Sequence, residues 1–441
     1  MPVVDPPAVR ARRPLVGLLV AHGVSLTGNV LTLIALPLYV LAETGSPALT
    51  GVTGAVATLP VILGGALGGV FVDRLGYRRT SVVADLLGAV TIGAVPLLDQ
   101  TVGLPLWALL ALVFATGLLD TPGQVARNAL LPEAATIAGV PLERAVGWFE
   151  AIERGARMAG APLAGLLVAI VGAPGTLALD AATFVAAALT ALWLLPAAPR
   201  IATGAVHDPE REGDPPDAAP VPRTGYWREL AEGVRFLLRE PLLRAVILLV
   251  LCTNVLDAAK SSVLLPVVAQ RQLGGPVAYG LLVGTMAGGA LAGSLLFSAI
   301  GHRLPRRATF VTAFTLAGAP PLLALALDLP LPLLVAITAT AGLAAGAINP
   351  IIGTLKLERV PPGMRARVYG VMGAGTWAGM PLGSLAAGLA TEHVGLTATL
   401  TTAGVAYLLL TLTPLLGGPW KQMSAPRSSP RGDRCSYDDR L

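Results

Sequence analysis

Long apolar stretches, separated by short charged turns, run through almost the whole chain. A helix needs about 20 apolar residues to cross the hydrocarbon core of a bilayer. Twelve stretches reach that length, and we number them spans 1 to 12: residues 15–41, 49–71, 80–98, 104–122, 147–171, 175–196, 242–268, 277–300, 307–327, 330–350, 367–391 and 395–417. One such stretch could be the buried helix of a soluble domain. Twelve in series predict an all-α integral membrane protein with twelve transmembrane helices.

The composition supports a lipid environment. Of the 441 residues, 54% are hydrophobic and 13% are charged, whereas soluble domains carry about 25% charged residues. The 51 glycines and 37 prolines are typical of membrane helices, which tolerate both. The two cysteines, Cys252 and Cys435, are too few and too far apart in sequence to predict a disulfide framework.

The positions of the basic residues predict an orientation. If the N-terminus is inside, 27 of the 31 Lys and Arg residues fall in the cytoplasmic parts, and only Arg271 falls in an outside loop. This distribution follows the positive-inside rule, so both termini are expected to be cytoplasmic in a multi-pass cell-membrane protein. Because the basic residues lie in turns between apolar spans, the net charge of +5 does not indicate nucleic-acid binding. No small-residue cleavage site precedes span 1, so we expect a retained first helix.

A polar middle region divides the chain. The predicted parts are a cytoplasmic N-terminal arm (1–14), a six-helix bundle (15–196), a cytoplasmic linker (197–241), a second six-helix bundle (242–417) and a disordered cytoplasmic tail (418–441). Within the linker, residues 226–240 place apolar side chains at helical spacing opposite charged ones. This pattern predicts an amphipathic helix on the cytoplasmic face of the membrane. The alternative is an ordinary soluble helix.

Three short segments of the first half recur, in the same order, in the second half. They are Gly64–Gly69 with Gly288–Gly293, Asn29–Leu31 with Asn254–Leu256, and Ala159–Leu163 with Ala378–Leu382. One match could be chance in a chain rich in Ala, Gly and Leu. Three at similar separations indicate a duplicated six-helix unit, which is the architecture of many secondary transporters.

The turn between spans 2 and 3 carries a recognisable motif. Its residues are Gly69-x-x-x-Asp73-Arg74-x-Gly76-x-Arg78-Arg79. The motif closely resembles the signature of the major facilitator superfamily, although Tyr77 stands where another basic residue is common. The resemblance implies twelve spans in two six-helix halves and covers about residues 14–418.

The resemblance also implies a role for this turn as a conformational latch. Asp73 is expected on the cytoplasmic face, where span 11 begins near Arg365 and Arg367. A carboxylate there would be held by the positive end of a helix and by the arginines. Gly69 would let the helices approach closely, and the Asp73 contact would lock the two halves together on the inside.

Local motifs resemble those of drug antiporters. Gly160–Gly165 in span 5 resembles their glycine–proline motif, although Ala161 and Ala164 make the match less exact. Those antiporters have an arginine inside span 4, whereas Arg127 of this chain is predicted to follow span 4. Segments resembling the branch of the enterobactin exporter and macrolide efflux proteins are Thr44-Gly45-Ser46, Arg127–Pro132 and the 226–240 helix.

Glycine-flanked prolines occur at corresponding places in spans 5 and 11, at Pro162 and Pro381. Each removes a backbone hydrogen bond, so bends there could let the halves rock. Close helix packing through Gly160, Gly165 and Gly379 is the equally open alternative.

The sequence offers no sign of ATP hydrolysis, a cofactor, a metal centre or an enzyme. None of the lysines, Lys260, Lys356 and Lys421, follows a Gly-x-x-x-x-Gly loop, and no nucleophile–base pair or metal-spaced cluster is evident. The energy for transport is therefore expected from an ion gradient. Protons are the simplest coupling ion, and they require a titratable group away from bulk water.

Span 7 carries the strongest candidate group. Asn254, Asp257 and Ser261 share one helix face, and Asp257 lies about 20 Å along the helix from Arg244, near mid-membrane. An ion pair with Lys260 would offset the energy of burying the charge. The pair could line a cavity, as could Asn29 of span 1, or it could be a permanent local contact.

Span 5 supplies a second candidate. Glu153 and Arg157 are spaced for an ion pair and could face the cytoplasmic half of a cavity, or they could form a solvated first turn. Other polar residues of the spans favour structural roles. Asp85 lies near a helix N-terminus, Asp120 could pair with Arg127, and Asp180 and His22 could simply be packed.

These features predict a monomeric secondary active transporter. It would export an amphipathic small molecule (a drug, an antibiotic or a siderophore) by alternating access, in exchange for protons. A metabolite importer or uniporter of the same fold is the first alternative. A membrane sensor or partner protein without transport is the second.

Overall fold

The computed structural model of the chain describes residues 12–195 and 226–423. Most of the predicted N-terminal arm and tail, and the first part of the linker, lie outside these ranges. The α-helices are α1 (Arg13–Thr44), α2 (Pro47–Leu75), α3 (Tyr77–Thr101), α4 (Leu106–Ala138), α5 (Leu142–Leu194), α6 (Tyr226–Arg239), α7 (Pro241–Ala259), α8 (Leu265–Arg271), α9 (Pro276–Ile300), α10 (Arg306–Ala326), α11 (Leu331–Ala345), α12 (Ile348–Arg359), α13 (Arg365–Trp377), α14 (Met380–His393) and α15 (Leu396–Leu412). No strand occurs in the described part of the chain.

Helices α1 to α5 form the first half of the molecule. Helix α5 contains both span 5 and span 6, which are joined at Gly172 with a φ of 75° and a ψ of 169°. Such a left-handed backbone conformation favours glycine. The chain therefore reverses at this position without a longer loop.

Helices α7 to α15 form the second half and are more interrupted. A π-helical turn, Lys260–Leu264, joins α7 to α8 within span 7. Span 11 is divided into α13 and α14. Nine described helical stretches are long and apolar enough to cross a membrane. One of them, α5, holds two spans, and α2 and the divided span 11 supply the others, so the predicted all-α membrane fold is confirmed.

Helix α4 is longer than predicted. The hydropathy pattern ended span 4 at residue 122, but the helix continues to Ala138 and is capped by Gly139 in the left-handed conformation. The prediction failed because polar residues follow residue 122 and lower the hydropathy. In the structure, one of them, Arg127, is fully buried inside the first half.

The two halves meet closely at one end of the molecule. Helix α2 packs on α14, where a Cβ added to Gly51 would lie 2.5 Å from the carbonyl oxygen of Ser384. Helix α5 packs on α9, where a Cβ at Gly280 would overlap the carbonyl oxygen of Ala161. We call this region, which includes Ser46–Gly54, Ala161–Gly165, Pro276–Gly284 and Ser384–Glu392, the closed end.

Helices α5 and α9 stay in contact as far as Arg154, whose Nη1 lies 3.5 Å from Oγ of Ser294, and the two halves separate beyond it toward the opposite end. Gly147 lies on the same side of α5 as Gly165, because 18 residues make five helical turns. Gly165 touches the backbone of α9, whereas an added Cβ at Gly147 would have no atom within 4 Å. The Arg-rich turns that follow α2 and α9 also lie at this opposite, open end.

Helix α6 is attached to the second half. It packs on α13, with Glu232 and Arg367 forming an ion pair of 2.7 Å. Gly233 lets the two backbones approach, since an added Cβ would lie 3.1 Å from the carbonyl oxygen of Arg367. The position of α6 relative to the membrane stays a prediction.

Candidate transport pathway and its polar clusters

A buried ion pair joins three helices of the first half. Arg127 of α4 is fully buried, and its Nη1 donates hydrogen bonds to both carboxylate oxygens of Asp85 of α3, at 3.0 and 3.1 Å. Ser25 of α1 accepts a hydrogen bond from Nη2 at 3.2 Å and donates one to Asp85 at 3.3 Å. These contacts pair the two charges in the low-dielectric interior, where either charge alone would be strongly destabilising.

The ion pair extends to a partly exposed carboxylate. Asp120 lies two turns before Arg127 on α4, with 3.7 Å between its Oδ1 and Nη2 of the arginine, and its side chain is 13% exposed. Its other oxygen accepts hydrogen bonds from Asn29 at 3.0 Å and from Gln124 at 2.6 Å. Asn29, a predicted cavity residue, therefore holds the carboxylate of Asp120.

The predicted positions of Arg127 and Asp85 were wrong, whereas the predicted pairing of Asp120 with Arg127 is confirmed. Arg127 lies within α4 rather than after span 4, and Asp85 binds the arginine instead of sitting at a solvated helix N-terminus. The useful signal was the spacing of Asp120 and Arg127, since seven residues place both side chains on one helix face. The sequence did not reveal which helix supplied the buried partner.

Two further polar residues of the first half are packed in its interior. Asp180 accepts hydrogen bonds from the hydroxyl of Thr32 and, at 3.2 Å, from that of Thr183. His22 is 2% exposed and stacks on Phe149, with 3.7 Å between ring centroids. These contacts join α1 to α5.

Asp257 is the centre of a polar cluster in the second half. Its Oδ1 lies 2.8 Å from Nζ of Lys260, and its Oδ2 accepts a hydrogen bond from Tyr407 of α15 at 3.2 Å. The side chain of Asp257 is 41% exposed, whereas that of Lys260 is 15% exposed. The carboxylate thus has a fixed partner and is not fully enclosed by protein. Tyr407 was not predicted from the sequence.

The π-helical turn begins at Lys260 itself. Such turns are frequent at functional sites because they displace the helix register locally. Two residues later, Ser262 packs near Gly54 of α2 at the closed end, where an added Cβ on the glycine would lie 2.7 Å from Cβ of Ser262. The Asp257–Lys260 pair is therefore connected to the contact between the halves through a few residues of backbone.

Asn254 lies one turn before Asp257 on α7 and has a different hydrogen-bond partner. Its side-chain amide donates a hydrogen bond of 2.9 Å to the carbonyl oxygen of Thr376, near the end of α13. An unpaired carbonyl is available there because the helix is interrupted before α14. Asn254 therefore fastens span 7 to the break in span 11.

Glu153 and Arg157 form the predicted pair, with 2.9 Å between charged atoms. On α5, Gly160 packs on α1 and Gly165 packs on α9. Successive residues of a helix are rotated by about 100° around its axis. By this rotation, Glu153 and Arg157 lie on the part of the α5 surface between the face that contacts α1 and the face that contacts α9. The opposite arc carries the exposed apolar residues Leu163, Leu166 and Ile170. Glu153 and Arg157, 34% and 63% exposed, therefore point to the gap between the halves.

The glycine–proline motif of span 5 is a packing surface. Gly160 lies against Val30 of α1, and the ring of Pro162 lies against Gly284 of α9. Helix α5 continues through Pro162 without interruption. In span 11, by contrast, α13 ends just before Gly379, and Pro381 lies in the first turn of α14.

The latch motif is described in part. Gly76 lies between α2 and α3 with a φ of 79°. Arg78 donates a hydrogen bond to the carbonyl oxygen of Leu192 in the same half, and Arg79 is exposed. Gly69, Asp73 and Arg74 belong to α2, but their side chains lie outside the described part of the structure. The latch stays a prediction.

The chain is similar in sequence to two proteins named for efflux. The chain is 31% identical to the multidrug efflux pump Tap of Mycolicibacterium fortuitum over 90% of this chain and 94% of that protein. It is 22% identical to macrolide efflux protein A of Streptococcus pyogenes over 85% of this chain and 88% of that protein.

The fold agrees with these sequence relationships. A variant of the nucleoside transporter NupG superposes with a TM-score of 0.72 at 14% identity, covering 93% of this chain and 100% of that chain. The sequence profile of the Major Facilitator Superfamily matches residues 18–274 and 247–433. This protein is a multi-pass membrane transporter that belongs to the major facilitator superfamily.

Proposed function

We propose that this protein exports an amphipathic, drug-like molecule by alternating access, in exchange for protons. Export is supported by the relatives named as efflux pumps. The observation that carries the coupled mechanism is the partly exposed ion pair of Asp257 and Lys260, at about mid-membrane depth in a helix that touches the contact between the halves.

The conformation follows from the predicted orientation. Since the Arg-rich turns lie at the open end, the positive-inside rule places that end in the cytoplasm. The gap lined by Glu153 and Arg157 is then open to the inside, and the closed end faces outward. This is an inward-facing state, ready to accept substrate from the cytoplasm or the inner leaflet.

The coupling step is proton transfer to a carboxylate. A proton bound by Asp257 neutralises the carboxylate and removes its ion pair with Lys260. It also weakens the hydrogen bond that the carboxylate accepts from the Tyr407 hydroxyl. Coupling requires that protonation changes the free energies of the inward-facing and outward-facing states by different amounts. This condition is met if the contacts of Asp257 differ between the two states. Asp120 offers a corresponding carboxylate in the first half.

Transport in vesicles tests the proposed function. The vesicles are everted and come from cells that lack their own pumps. A pH gradient imposed with the vesicle interior acidic is expected to drive accumulation of a fluorescent drug inside them. Collapse of the gradient with a protonophore should abolish it. Accumulation in right-side-out vesicles instead would identify an importer, and equal equilibration in both would identify a uniporter.

The latch is tested by Asp73→Asn. Loss of the carboxylate is expected to remove its attraction for the start of span 11 in the inward-closed state, so the inward-open state should gain population. In a chain without native cysteines, a Gly147→Cys reporter at the open end should then react faster from the cytoplasmic side. Glu143→Gln, a nearby neutralisation outside the motif, is the control. Equal reactivity of Asp73→Asn and parent contradicts the latch.

Gly280→Ala tests the closed end. The new methyl group would overlap the backbone of α5 at Ala161, so the halves should fail to close there. We expect efflux to fall at least about tenfold, the effect of roughly 1.4 kcal/mol. Gly155→Ala, which adds a methyl group in open space on α5, should retain activity. Normal efflux by Gly280→Ala would show that this close approach is not needed.

A further inference from the structure

Glu392 bridges the two halves at the closed end. It lies in the last turn of α14, in the second half. One of its carboxylate oxygens accepts a hydrogen bond of 2.5 Å from the hydroxyl of Ser46 and one of 3.0 Å from the backbone N–H of Ala48. Ser46 lies in the turn between α1 and α2, and Ala48 lies in the first turn of α2, both in the first half.

Local contacts of the turn between α1 and α2 position the Ser46 hydroxyl for this hydrogen bond. Gly45, with a φ of 66°, ends α1 in the left-handed conformation, which glycine adopts readily. The hydroxyl of Thr44 accepts a hydrogen bond from the N–H of Ser46 at 3.2 Å, and the hydroxyl of Ser46 accepts one from the N–H of Leu49. Ser46 thus caps α2 while its own proton remains available for Glu392.

The carboxylate completes the cap from the other half of the molecule. The first N–H groups of a helix have no partner within the helix, and the positive end of the helix dipole favours an anion. Glu392 supplies that anion to α2 at Ala48. Its hydrogen bonds exist only while α14 lies beside α2, so they contribute to the stability of one conformation selectively.

We propose that Glu392 is the latch of the closed end, and that its contact with Ser46 and Ala48 sets the population of the inward-facing state. This inference rests on the alternating-access cycle of the proposed function. It also gives a role to Thr44-Gly45-Ser46, which the transport pathway leaves unused. Glu392 is a positioning residue and touches no part of that pathway.

The hydrogen bonds to Glu392 favour its ionised form. His393 follows it on α14, and the hydrogen bonds from Ser46 and Ala48 lower the pKa of its carboxyl below the ordinary value of 4.5. Glu43 of α1 and Asp99 near the end of α3 are further carboxylates toward this end, and both lie near Tyr39. Because the pKa is lowered, the stabilising contact of Glu392 is fully formed at a pH above the ordinary pKa of 4.5. The contact is lost as the pH falls through the lowered pKa. At neutral external pH it stays ionised, so it opens by movement of the halves.

A buried reporter measures the latch directly. Ser384 is fully buried against Gly51 and Gly54 of α2, so a Ser384→Cys side chain reacts with an impermeant maleimide only when the closed end opens. The background is the full chain with Cys252→Ser and Cys435→Ser. Glu392→Ala is expected to raise the labelling rate in intact cells about fivefold to tenfold. Glu392→Gln, which keeps one acceptor, should raise it less.

Two controls separate the latch from a general disturbance. Glu43→Gln neutralises an exposed carboxylate of the same end and should leave the labelling rate unchanged. Ser46→Ala should accelerate labelling alone but add little to Glu392→Ala, because both remove the same contact. Additive effects, or labelling of Glu392→Ala at the parent rate, overturn the inference.

The labelling result is independent of transport. If the parent exports drug and Glu392→Ala labels like the parent, the latch is wrong and the transport proposal stands. If the parent exports nothing while labelling rises in Glu392→Ala, the latch stands and the transport proposal fails.

Discussion

Arg127→Ala is expected to destabilise the first half by about 3–5 kcal/mol, the range for removing one partner of a buried ion pair. The substitution leaves Asp85 almost fully buried without its cation and removes the hydrogen bond that Ser25 accepts. The purified variant should unfold at a clearly lower temperature than the parent in the same detergent, with reduced yield from membranes.

A matched set of variants shows whether the pair is the cause. Arg79→Ala removes an arginine that is exposed, so its unfolding temperature should stay close to that of the parent. The double variant Arg127→Leu with Asp85→Asn removes both charges and should recover part of the lost stability. An Arg127→Ala protein that unfolds at the parental temperature would show that the pair contributes little to the fold.

Hydropathy predicted the spans well because lipid imposes one requirement on every crossing. A stretch such as residues 277–300 must be apolar over its full length, and α9 occupies almost the same residues. The amphipathic segment 226–240 likewise corresponds closely to α6. Such features depend on the chain and its solvent, so neighbouring helices need not be known.

Buried charges escaped the same reasoning for a physical reason. Hydropathy treats an arginine as a residue that ends a span, but a paired and hydrogen-bonded arginine can be packed inside. Arg127 is fully buried because Asp85 reaches it from a different helix. The hydrogen bond from Asn254 to a carbonyl group of span 11 was likewise not predicted. Contacts between distant helices are what single-sequence periodicity omits.

The role of the span 5 motif also depended on its neighbours. Pro162 lies within the continuous helix α5, where its ring and the adjacent glycines contact α9 and α1, and a bend there stays a prediction. The interruption of span 11 before Gly379 was closer to expectation. Two similar sequences thus have different structures in the two halves.

Asp257→Asn is expected to abolish proton-driven efflux while leaving the protein able to bind drug. Asparagine preserves the shape of the side chain and its contact with Tyr407, but it cannot bind and release a proton. Accumulation of drug against its gradient should fall at least about tenfold. Exchange of labelled for unlabelled drug across the membrane should continue, because it needs the conformational change without net proton movement.

The design must allow for Lys260, which Asp257→Asn leaves without its carboxylate partner at 15% exposure. The double variant Asp257→Asn with Lys260→Gln removes both charges, so a folding defect caused by the lone cation should be relieved while coupling stays lost. Glu150→Gln disrupts a largely exposed pair on α5 and should leave efflux unchanged.

Glu153→Gln tests the second candidate in the same assay. If Asp257→Asn and Glu153→Gln, singly and together, export as well as the parent against a proton gradient, neither carboxylate couples transport. The partly exposed Asp120 would then be the next carboxylate to neutralise, since its attachment to Asn29 and Arg127 gives the first half an equivalent link between protonation and helix packing.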